Sequence, residues 1–133
     1  MSEPEVTGWL LTVFGLYALA AALGEHLRPG EWKKMIRELN ESSALSFLAG
    51  LLVLSMGTAI SLAHPFDTDA GWRSTVVNII GYGMVIEGLS FLAFPKSISQ
   101  LGAQLMTAAN PLWVVIAGVL GVLFLLAGVP LIL

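Results

Sequence analysis

Glu87 is the residue most able to do chemistry in this chain, because it is a carboxylate set inside an apolar run, Met84-Val85-Ile86-Glu87-Gly88-Leu89. It stands eight positions before Pro95, which on a helix is about 12 Å from that boundary. An ionised side chain at such depth in a bilayer costs about 2.5–3.5 kcal/mol on insertion scales. Four roles remain open. It can be protonated and hydrogen-bonded to Ser55, Thr58 or Asn78, or paired with a snorkelling Arg28 or Lys96. It can meet a partner subunit, or it can relay a proton or hold a cation. No second acid or base lies deep enough to extend a proton path.

The other titratable groups sit near segment ends. Glu25 and His26 are neighbours, about 100° apart on a helix, so they do not converge on one ligand by themselves. Capping and headgroup contact are expected of them. His64 is expected at a hydrated helix end. The two histidines fall on opposite sides of the membrane and cannot share a metal. Asp67 and Asp69 form a loop pair expected to be solvated rather than cation-binding. No nucleophile-and-base set, phosphate loop or redox motif is present. With no cysteine, thiolate chemistry is excluded. A non-catalytic protein with no cofactor and no metal is expected.

The elements that carry these residues are apolar. The chain has 133 residues, 56% hydrophobic and 11% charged, with a mean hydropathy of +0.85. Soluble domains carry about 25% charged residues, so the bilayer must act as solvent. A net charge of −3 leaves no basic face for nucleic acid. Four stretches, about 8–27, 44–63, 74–94 and 112–133, are each long enough to cross a core of about 30 Å. Pro29, Pro65, Pro95 and Pro111 mark their boundaries. The acidic start, Met1-Ser2-Glu3-Pro4-Glu5, lacks a basic n-region, so the first stretch is expected to be a retained helix.

Two connections read as amphipathic helices lying in the membrane interface. In 31–41, Trp32, Met35, Ile36 and Leu39 share one face, with Lys33, Lys34, Arg37 and Glu38 opposite. In 96–106, Ile98, Leu101 and Leu105 make a weaker stripe. Arg28, Lys33, Lys34, Arg37 and Lys96 would reach headgroups, and Trp32 and Trp72 would anchor at the interface. The basic residues cluster in the first and third connections, and only Arg73 lies in the second. The positive-inside rule therefore predicts amphipathic segments in the cytoplasm and both termini in the periplasm.

The interval Gly15–Pro29 resembles Gly81–Pro95, with Ala22-Leu23 matching Gly88-Leu89. The pattern predicts an all-α integral membrane fold of two tandem repeats, 1–66 and 67–133, each helix, interfacial helix, helix. Gly50, Gly57, Gly81, Gly88, Gly118, Gly121 and Gly128 recur at helical spacing. They can pack the bundle or form a smooth face for another protein. Leu120, Leu123 and Phe124 are expected to point away from the Gly121 and Gly128 face, toward lipid.

The run 83–96, with Ile86-Glu87-Gly88-Leu89 and Pro95 as its most specific part, resembles the YjeT-like family of small bacterial inner-membrane proteins. The resemblance covers 80–133; Ala21 stands in the first half where Glu87 stands in the second. The whole chain also resembles a duplicated four-helix set of bacterial membrane proteins, through Gly15-Leu16, Trp32-Lys33-Lys34-Met35-Ile36 and Ala44-Leu45-Ser46-Phe47-Leu48. The resemblance implies a fold and the bacterial inner membrane, and carries no activity. The expected function is an accessory subunit that joins a larger membrane complex through glycine-rich faces and the cytoplasmic amphipathic segment. Alternatives are an oligomeric proton-coupled transporter or channel using Glu87, and an organiser of the lipid bilayer. Four-helix multidrug exporters share the size and a single intramembrane Glu, but only Tyr82 and Phe91 supply aromatics near Glu87.

Overall fold

The computed structural model describes residues 2–66, 71–108 and 110–133. Asp67 and Asp69 lie outside the described residues. The described chain is helical: α1 (Glu3–Leu27), α2 (Glu31–Glu41), α3 (Ser43–Ala63), α4 (Trp72–Ala93), α5 (Pro95–Ala108) and α6 (Asn110–Ile132). Among the described residues, α1, α3, α4 and α6 are long and apolar enough to cross a membrane, which fits a multi-pass membrane protein.

Local chemistry sets the helix ends. Ser2 caps α1 by accepting the Glu5 N–H at 3.3 Å, with Pro4 in the first turn where no N–H is needed. Ser42 closes α2 and opens α3, its hydroxyl accepting the Leu45 N–H at 3.2 Å. Gly30 takes a positive φ of 98° in the tight turn from α1 into α2, a conformation cheap only for glycine.

The long helices pair across the sequence halves. α1 packs along α6, and α3 packs along α4; α1 also touches α4. The chain therefore forms a row, α6–α1–α4–α3, and neither 1–66 nor 67–133 buries its own two long helices against each other. Leu11, Ile60, Val77 and Ala127, one from each long helix, form the buried core, with Phe14, Met84 and Phe124 packed on it. Phe124 thus packs on the core while also bordering a groove beside α4, whereas Leu120 and Leu123 are exposed.

Glycines set both helix pairs. Gly8 faces Gly128 and Gly15 faces Gly121 between α1 and α6. Gly57 faces Gly81 and Gly50 faces Gly88 between α3 and α4. A Cβ on Gly88 would lie 2.5 Å from the Leu54 N, and one on Gly15 would lie 2.8 Å from the Gly121 carbonyl oxygen. Backbones can come this close only without side chains between them. Six of the seven predicted glycines are consumed here; Gly118 has open space around it.

α2 and α5 pack on each other at one end of the row. The faces they turn to each other include only part of the expected stripes, and the rest stays exposed. Trp32, Ile36 and Leu39 are half-buried, but Met35 is exposed. In α5, Ser99 is buried while Leu101 and Leu105 are exposed, because the narrow face of Ser99 and Gly102 lets α2 approach.

Candidate functional site

Three polar features stand out, and they lie at different levels of the row. The first is Glu25, 2% exposed at the end of α1. Its carboxylate accepts the Gly30 N–H at 2.7 Å and the Trp32 N–H at 2.8 Å. Helix α2 has no side-chain cap of its own, so Glu25 takes that task from the preceding helix and meets the positive end of the α2 dipole. Capping was expected of this residue, but its burial and its choice of α2 were not. Ser46 ties the other end of α2 down by donating to the Leu39 carbonyl. Arg28, Lys33, Lys34 and Arg37 surround this end on exposed positions.

The second is His64, also 2% exposed. It is the C-cap of α3 and it corrects the expectation of a hydrated helix end. Its Nε2 lies 2.6 Å from the Thr7 hydroxyl and its Nδ1 lies 2.7 Å from Asn78 Oδ1. The Ser74 hydroxyl is 3.5 Å from the same Nε2. Asn78 Oδ1 can only accept, so Nδ1–H donates to it; the Thr7 hydroxyl beside Nε2 also donates to the Glu3 carbonyl oxygen at 3.1 Å. The ring thereby joins α1, α3 and α4 through three side chains that are each at least nine-tenths buried. Sequence reasoning missed Thr7, Ser74 and Asn78 as a set. Their helical positions gave no signal, because the set exists only once α1 and α4 meet.

Beside this node a cleft of about 380 Å³ opens, lined by Glu3, Thr7, Trp72, Arg73, Ser74 and Leu131. The Arg73 guanidinium lies over the Trp72 ring, 4.9 Å from its centroid, a cation–π contact. Trp72 itself is exposed at the start of α4.

The third is Glu87. It is exposed on the outer face of α4 and has no hydrogen bond or ion pair among the described residues. None of Ser55, Thr58, Asn78, Arg28 or Lys96 meets it: Ser55 bonds its own helix at Leu51, and Asn78 is engaged with His64. The aromatics are elsewhere too. Tyr82 packs on Phe66 at 6.4 Å, and Phe91 lies against Gly50 of α3. Gly83, one turn before Glu87, has open space beside it and was not singled out in the sequence because it lies outside the regular glycine spacing. Lys96 is exposed at the start of α5.

The chain matches no family model, no curated protein and no solved structure.

Proposed function

We propose that this chain is a non-catalytic accessory subunit of a larger membrane assembly, docked through the outer face of α4 around Glu87. The observation that carries the reading is an unpartnered carboxylate exposed on an apolar helix. Glu87 lies six residues from Ala93, about 9 Å inside the end of α4. Side chains on a helix lean toward its N-terminus, so Glu87 leans away from the nearer interface and cannot easily snorkel. A donor on a neighbouring helix would offset the cost of about 2.5–3.5 kcal/mol. Gly83 leaves room for that helix to approach, flanked by the exposed Ile79, Tyr82 and Ile86.

The internal use of Gly50, Gly57, Gly81, Gly88, Gly121 and Gly128 removes them from the docking face. That is a revision of the surface expected from sequence. In this reading the protein is a duplicated relative of the YjeT-like family in the bacterial inner membrane. α2 and α5 lie in the cytoplasmic interface, and the termini are periplasmic.

Blue-native electrophoresis of mildly solubilised membranes, with mass spectrometry of the band, tests the reading. The native chain should migrate with a partner, and Glu87→Leu and Gly83→Leu should each release it. Retention of the same partner by both variants would remove the α4 face. Migration as a small homo-oligomer dissolved by Glu87→Gln would instead favour the transporter alternative, with flux in liposomes as its next test.

A further inference from the structure

We infer that the cleft at the start of α4 binds one phospholipid with a primary-amine headgroup. The inference is independent of the Glu87 face, which lies elsewhere on α4. Two hollows meet at Trp72 and Arg73. One is the cleft of about 380 Å³ that also holds Glu3, Thr7 and Ser74. The other is an apolar groove of about 390 Å³ walled by Val76 on one side and Leu120, Leu123 and Phe124 on the other. The first volume falls among ordinary ligand sites, about 300–1,000 Å³. The groove exists because α4 and α6 both pack beside α1 but not closely on each other. Along α6 the combined path runs from Leu131 to Leu120, about 16 Å, or half of a membrane core.

The charges select the occupant. Glu3 and Arg73 line the same cleft, yet neither has an ion-pair partner among the described residues. Opposite charges in one cleft that do not pair suit a zwitterion. A guanidinium takes a phosphate through paired N–H donors; Thr7 and Ser74, whose hydroxyls contact His64, wall the cleft behind it. α4 begins without a side-chain cap, so its first N–H groups add donors on the same side. The Glu3 carboxylate accepts N–H bonds from a primary ammonium, which a trimethylated amine cannot donate. Trp72 is exposed at the first turn of a helix of spanning length, a position that suits an interfacial indole. A polar head with two opposite charges above an apolar slot is the shape of phosphatidylethanolamine.

Native mass spectrometry of the delipidated protein, titrated with ethanolamine, choline and glycerol phospholipids of identical chains, tests this. The expected result is one saturable ethanolamine lipid per chain, bound about tenfold more tightly than the other two. Arg73→Gln should weaken all three lipids by about tenfold. Glu3→Gln should erase the preference for ethanolamine while sparing binding. Leu123→Trp, which fills the groove from an exposed position, should block binding with both charges intact. Glu87→Gln should bind as the unaltered protein does. Equal affinity for the three lipids, non-saturable binding, or unaltered affinities in Arg73→Gln and Glu3→Gln would each overturn the inference.

Discussion

At the scale of single residues, burial separates the titratable groups more than their identity does. His64 and Glu25 are both interior, and each satisfies two partners from other elements. Glu87 is in the most apolar surroundings by sequence, yet it faces outward. Removing the His64 ring leaves Asn78, Thr7 and Ser74 without their shared partner at buried positions. His64→Ala should therefore destabilise the fold by about 1–3 kcal/mol, read as a lowered midpoint of thermal unfolding in detergent. Thr7→Val, which keeps the shape and removes the hydroxyl's contacts with His64 and the Glu3 carbonyl, should cost less, near 1 kcal/mol. A midpoint unmoved by both would mean that the node carries no stability. The Asn78 Nδ2 and Ser61 Oγ atoms are buried without partners, which concentrates the unmet polarity of the interior on α3 and α4.

At the scale of elements, glycine position decides which helices touch. Gly88 and Gly83 sit on the same helix five residues apart, yet their surroundings are opposite. A Cβ at Gly88 meets the Leu54 backbone at 2.5 Å, and a Cβ at Gly83 meets nothing within 4 Å. Gly88→Ala should thus force α3 and α4 apart and lower thermal stability. Gly83→Ala should leave it unchanged or slightly raised, since alanine is the better helix former by about 1 kcal/mol. Equal melting of the two variants would show that the glycine contact does not limit the approach of the helices. The short helices obey a different rule. α2 is fixed at its start by Glu25 and near its end by Ser46, with only a half-buried face of Trp32, Ile36 and Leu39 besides.

At the scale of the whole molecule, the row α6–α1–α4–α3 crosses the sequence halves. Each long helix of 1–66 finds its main neighbour in 67–133. The halves split after Phe66 should therefore fail to form stable units when expressed alone. Co-expressed, they should reassemble into a species that co-purifies and unfolds cooperatively. A first half that is monodisperse and protease-resistant by itself would contradict this interdependence. The same crossing leaves the groove between α4 and α6, so the proposed lipid site is a consequence of topology rather than of a local motif.

The amino-acid sequence by itself determined the number and type of elements. Apolar runs of spanning length, proline boundaries and the 3.6-residue pattern of 31–41 depend only on local composition, and the helices fall close to those limits. It also marked Glu25, Glu87 and most of the packing glycines, because a charge or a recurring small residue in an apolar run is visible without coordinates. The tertiary structure alone decided which helix faces which. That choice depends on backbone approach between residues distant in the chain, from 24 positions for Gly57 and Gly81 to 120 for Gly8 and Gly128. It moved His64 from water to the interior, turned Phe124 onto the core, sent Glu87 outward, and gathered Glu3, Thr7, Arg73 and Ser74 around one cleft. Apolar helices are alike to lipid on every side, so hydropathy cannot choose among their faces; close packing and paired hydrogen bonds do.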